Sequence, residues 1–227
     1  MTEAEWYQCK DLHQMMRQFS FRGHDRKWRL FAVACCKHFW PTNAHEMATH
    51  GLSIAKKYAD GVVSLKELVQ THRQIQAAHR AMVSNWAYVV RVSPGSTHRP
   101  TEDDLAVVSS LEIAITVTKE DLDTHEVVRR CNGGTSTTRG RKWQRRLLRC
   151  VFANPTRTTE FDAQSLSHDV LAIAKTIFDE SRFDHLPILA DALEESGCND
   201  GELLDHCREK CNHVPGCWVL DLILGKG

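Results

Sequence analysis

Residues 24–39 read HDRKWRLFAVACCKHF, and the spacing of their apolar side chains decides the fold class. Trp28, Phe31, Ala32, Cys35, Cys36 and Phe39 recur at i, i+3 and i+4. That period wraps one wide apolar stripe around a helix. Trp40-Pro41 ends the segment, because a residue before proline avoids the α region. The same grammar continues on both sides. Thr2-Glu3-Ala4-Glu5 is a capping box that opens a short helix around Trp6. Asn43 is expected to cap a helix that runs to Asp60-Gly61, with glycine at the C′ position. Ser64-Leu65-Lys66-Glu67 is a second capping box. From it a long helix extends toward Val92 and halts at Ser93-Pro94-Gly95-Ser96.

Thr101-Glu102-Asp103-Asp104 begins a further helix, with acids in its first turn as the helix dipole prefers. Ile113–Val117 is rich in β-branched residues, which also suits a strand, but an isolated strand has nothing to pair with, and helix is preferred. Residues 132–140, NGGTSTTRG, are small, polar and glycine-rich, which predicts a flexible loop and an internal boundary. Helix resumes near Lys142 and runs to Asn154-Pro155. Others follow at about 166–181, 185–196 and 200–209, and from Pro215 in a first turn to Leu224 with Gly225 behind it. No alternating strand pattern and no fixed repeat intervenes. The expectation is an all-α protein, a multi-helix bundle or helical array, in a single domain over 1–227.

Composition bounds the function classes. The 227 residues are 42% hydrophobic and 26% charged, ordinary values for a globular chain. Lys+Arg and Asp+Glu balance at 29 each, which argues against a general polyanion binder. Residues 1–10 carry two Glu and no apolar core of a signal peptide. The apolar run Trp218–Leu224 is too short to span a membrane and contains Asp221. Nine cysteines, an odd count with Cys35 and Cys36 adjacent, read as free thiols in a reducing cytoplasm. Charge is segregated: residues 129–149 hold eight Lys/Arg and no acid, and residues 160–209 hold thirteen Asp/Glu against three Lys/Arg. The two blocks are expected to pair, or one of them to face a partner.

Two stretches resemble a known family. MTEAEW followed by DRKWRLFAVACCKHFW is similar to the opening of a large bacterial family of uncharacterised proteins, expanded in planctomycetes. Leu147–Pro155 (LLRCVFANP), then FDHLPILADALEESGCND, LLDHCR and HVPGCWVLDLILGKG, resemble that family's closing block. Residues 61–140 match little of it. Thr156-Arg157-Thr158 stands where the family has FRP after Asn-Pro, and Cys211 is not a usual member of the block. The resemblance implies membership and carries no activity with it.

The candidate chemistry lies near the C-terminus. Cys207-x3-Cys211-x-His213-x3-Cys217 places three thiols and an imidazole within eleven residues, with His206 adjacent and Cys198 upstream. Thiolate and imidazole ligands suit tetrahedral zinc. The competing reading makes these cysteines small core residues, since free Cys is among the most buried types. Arg139, Arg141, Lys142, Arg145 and Arg146 surround Trp143 and could contact phosphates while the ring stacks a base. A solvated face facing the acidic block is the simpler role for them.

Other patterns carry less. Cys35 and Cys36 point about 100° apart on a helix, so core packing is expected of them. His45-Glu46-Met47-Ala48-Thr49-His50 has its histidines five apart, off a common face, and is no zincin motif. His72 and His79 are expected on an exposed stripe. Asp179, Glu180, Arg182, Asp184 and His185 read as local ion pairs at a helix end. With no catalytic constellation, the leading expectation is a non-enzymatic protein-interaction module, with another protein as partner and no membrane. The chain would need either no cofactor or zinc. The alternatives are a small zinc protein or metalloenzyme, and nucleic-acid binding through Arg139–Arg149.

Overall fold

The computed structural model describes residues 1–19, 25–38, 43–92, 101–131, 138–157, 166–210 and 213–226, with side chains except at 85–92, 104, 138 and 139. Among the described residues there are twelve α-helices and no strand, so the chain is all-α. The helices are α1 (Glu3–Gln8), α2 (Leu12–Met16), α3 (Asp25–His38), α4 (Glu46–Ala59), α5 (Leu65–Val92), α6 (Glu102–Val117), α7 (Thr124–Cys131), α8 (Thr138–Val151), α9 (His168–Glu180), α10 (Leu186–Glu195), α11 (Gly201–Arg208) and α12 (Trp218–Ile223). None of them is long and apolar enough to cross a membrane. The chain divides into two compact units: Met1–Lys27 with Thr137–Gly227, and Trp28–Ser136. The second boundary falls in the glycine-rich stretch at 132–140. Residues 138–140 of that stretch belong to α8 rather than to a loop, and the rest lies outside the described residues.

In the first unit, Thr2 caps α1 with the full reciprocal box to Glu5. Trp6 on α1 is buried and meets Phe19 edge-to-face at 5.5 Å, and Phe19 packs on Phe152 at 4.6 Å. The last carbonyls of α1 have no helical partners of their own. Arg149 of α8 supplies donors: its Nη2 reaches Trp6 O at 2.8 Å, Tyr7 O at 3.0 Å and Cys9 O at 3.2 Å. Toward the C-terminus, α9 through α12 close over a core of Val170, Ile177, Leu189, Leu193, Leu203 and Val219, all at most 1% exposed. Each such side chain contributes about 2 kcal/mol. Asp200 caps α11 by accepting from Leu203 N. The expected first-turn Pro215 lies before α12, whose N-cap is Cys217.

The second unit is built on the apolar stripe of α3. Trp28, Phe31, Ala32, Cys35 and Cys36 are all at most 1% exposed. The helices α4, α5 and α6 pack on one another through Ala48, Ile75, Leu111 and Ala114. Gly51 permits that approach, since a Cβ there would lie 2.5 Å from Ile75 Cδ1. Arg29 repeats the device of Arg149, donating to Val117 O (2.7 Å), Lys119 O (2.9 Å) and Glu120 O (3.1 Å) at the end of α6. Ile113–Val117 is helical, because α6 buries those residues against neighbours on two sides. Asn43 is not the cap of α4: His45 takes that position, its Nδ1 accepting from Met47 N, and Asn43 donates instead to Asp103. Helices α2 and α7 were not expected, being too short for a periodic signal. His72 and His79 do not form an exposed stripe; both are half-buried, His72 against Thr118 Oγ1 at 3.0 Å and His79 near Glu112 at 3.5 Å.

Candidate metal centre

Four side chains of the first unit converge. Cys150 comes from the last turn of α8, His206 from α11, His213 from the segment after it, and Cys217 from the N-cap of α12. One ligand atom from each lies within 4.8 Å of the other three. His206 Nε2 is 3.3 Å from Cys217 Sγ, His213 Nδ1 is 3.7 Å from Cys150 Sγ, and His213 Nδ1 is 4.0 Å from Cys217 Sγ. Ligands about 2.0–2.3 Å from a tetrahedral zinc stand about 3.3–3.8 Å from one another. Two of these separations fall in that range, so the group could hold a metal ion once its wider pairs draw in, by at most about 1 Å.

The surroundings orient these ligands. His213 Nε2 lies 3.2 Å from Glu209 O. With the N–H donated there, Nδ1 keeps its lone pair toward the two sulfurs, the arrangement that fixes a metal-binding imidazole. The His206 ring stands edge-on to His213 at 4.8 Å and packs on Trp218 at 5.3 Å. The guanidinium of Arg157 covers Trp218 at 4.4 Å and is pinned by Asp200 and Glu202. Tyr7 donates its hydroxyl to Glu202 at 2.6 Å. A rigid chain of contacts thus runs from α1 to the His206 ring.

Electrostatics favour an anion at Cys217. Burial pushes its thiol up, but hydrogen bonding from Cys150, the charge and hydrogen bond of His206, and the bond to His213 together hold it well below the usual thiol range. Metals bind the thiolate form. Burial holds the Lys27 ammonium below its usual range, with Arg26 adding to the lowering and the charges of Asp221, Cys217 and Cys150 opposing it only in part. Cys150 and His206 also line a cleft of about 670 Å³, which gives an ion a way in from solvent.

The structure sorts the residues named from sequence. His213 and Cys217 are brought together. Cys207 is not in the group; it points away from its neighbour His206 into the core with Leu203 and Leu204, and burial pushes its thiol up. Cys198 packs partly buried against the same core. Cys211 lies outside the described residues. Cys150, 56 positions before His206 in the sequence, was missed, because a ligand so far upstream leaves no local spacing to read.

The basic segment is partly consumed by the fold. Arg145 donates to Lys10 O at 3.0 Å, and Arg149 caps α1. Arg141, Lys142 and Arg146 are exposed and Trp143 is half-buried, while the side chain of Arg139 is outside those described. Four carboxylates of the acidic half pair outside the basic segment, Asp200 and Glu202 with Arg157, and Asp191 and Glu194 with Arg208, while Glu202, Asp205 and Glu209 share a cleft with Arg146 and Arg149. The polar run near 180 is local, with Asp179 on Lys175 and Arg182 on His185.

No family model, no curated protein and no solved structure matches the chain.

Proposed function

We propose that this chain is a zinc-binding helical protein whose metal is structural, held by Cys150, His206, His213 and Cys217. The observation that carries this reading is the convergence of two sulfurs and two imidazole nitrogens within 4.8 Å of one another, two of their separations at tetrahedral edge lengths. Zinc fits the donor set, because borderline-soft Zn²⁺ takes thiolate and imidazole together. Two thiolates and two neutral imidazoles neutralise the ion, so the buried group carries no net charge. Four protein ligands fill a tetrahedral shell and leave no position for water, which separates a structural site from a catalytic one. The zinc ties α8, α11 and α12 together through one atom. A module braced in this way, with no substrate position on its metal, serves as a scaffold for binding another protein.

Cobalt(II) substitution tests the coordination. Added to metal-free full-length protein, cobalt gives the strong visible bands of a tetrahedral ion and a sulfur-to-metal charge-transfer band in the near ultraviolet. Cys150→Ser and Cys217→Ser each weaken the charge-transfer band, while Cys207→Ser leaves it intact. Weak octahedral bands, or a charge-transfer band that survives both ligand substitutions, would overturn the proposed ligand set.

A further inference from the structure

A second pair of thiols meets in the other unit. Cys131 ends α7 and Cys36 lies in the last turns of α3. The Cys131 thiol donates to Cys36 Sγ at 3.6 Å, across 95 positions of sequence. No imidazole or carboxylate completes a metal set there among the described residues, and Cys35, though buried beside them, points about 100° away round the helix. A disulfide needs its sulfurs at about 2.05 Å, so closure requires a shift of about 1.5 Å. Cys131 is well placed to make it, being the last residue of a short helix.

We propose that Cys36 and Cys131 are a redox-sensitive dithiol that closes to a disulfide under peroxide, stapling α3 to α7. Cys131 meets the oxidant first, since it is 5% exposed while Cys36 is fully buried. Burial also pushes the Cys36 thiol well above its usual range, which leaves it as the resolving partner. In the first step the Cys131 thiolate attacks one oxygen of hydrogen peroxide. A sulfenic acid forms and hydroxide leaves, taking up the proton that the thiol released. In the second step Cys36 sulfur attacks the sulfenic sulfur, and its proton departs with the hydroxyl as water. The sum is two thiols and one peroxide giving one disulfide and two waters. The inference does not rest on the zinc reading, because none of these residues belongs to that site.

Peptide mapping of the full-length protein tests it. The protein is exposed to hydrogen peroxide, denatured, alkylated and digested with trypsin. The expected product joins residues 30–37 (LFAVACCK) to residues 131–139 (CNGGTSTTR), and its mass is their sum less two hydrogens plus the alkyl group on Cys35. Fragmentation places the bond at Cys36. Cys35→Ser keeps the cross-link and Cys36→Ser abolishes it. The melting temperature of the oxidised protein rises by about 5–10 °C and returns with a thiol reductant. The proposal is overturned if both peptides are recovered alkylated after peroxide has oxidised the partly exposed Cys9, or if the bond maps to Cys35. The wild-type mapping decides the matter even where a variant fails to fold.

Discussion

Two groups of buried thiols in this protein differ in their company. Cys150 and Cys217 stand beside His206 and His213 in the first unit, and Cys35, Cys36 and Cys131 stand among apolar side chains in the second. Burial is the same in both, at most 5% exposure for every one of these cysteines. Burial raises a thiol, as it does first and most for Cys35 and Cys36, where the neighbouring Cys131 adds to the shift. At Cys217 the imidazoles and the Cys150 thiol reverse that direction. A buried cysteine becomes a ligand when its neighbours can stabilise the anion, and otherwise it is a compact hydrophobe with a latent redox partner.

Chelation should separate the two groups most strongly. On the proposed zinc site, chelation leaves a buried thiolate with no cation, and structural zinc typically contributes on the order of 10 kcal/mol to folding in small modules. Hydrogen exchange resolved by peptide would show residues 201–226 losing protection after chelation while α4 keeps its own. Equal loss in both regions would break the distinction.

Next in size are substitutions on neighbouring cysteines. Cys217→Ser should abolish stoichiometric metal. Cys207→Ser should keep the metal and cost about 1–3 kcal/mol for a hydroxyl placed in an apolar site. Urea unfolding alongside metal analysis reads both. Loss of metal in Cys207→Ser would restore the ligand set suggested by spacing alone. Cys36→Ser should cost about 1–2 kcal/mol with metal content unchanged.

The smallest effect is electrostatic and belongs to the second unit. Glu126 is held below the usual carboxylate range, first by its hydrogen bonds to Arg129 and then by Arg130. A depressed folded value means the stabilisation is complete above the unfolded value of about 4.5 and is lost as pH falls through the folded one. Glu126→Gln should remove that slope, by a few tenths of a kcal/mol, and high salt should mask it. A slope that persists in Glu126→Gln would assign it to other carboxylates.

The sequence carried the fold class because α3, α5 and α9 are long and periodic enough to announce a helix without knowledge of their partners. It was weaker where the signal is short. Helices α2 and α7 span five and eight residues and follow no repeat. The cap at His45 depends on an imidazole acting where Asn43 looked better on chemistry. At the candidate site, spacing found His213 and Cys217, which share one loop. It could not find Cys150, whose place is set by the packing of α8, nor tell that Cys207 faces the core while its neighbour His206 faces the sulfurs. One residue of helical rotation separates those two roles, and only tertiary contacts reveal which side faces the sulfurs. The basic segment was legible as a patch, but its use in capping α1 depends on a helix about 140 positions away.

The most direct measurement is the metal content of full-length protein purified without a histidine tag, by elemental mass spectrometry. The account predicts one zinc per chain, falling to none in Cys217→Ser and unchanged in Cys207→Ser. A folded wild-type protein free of zinc would contradict it.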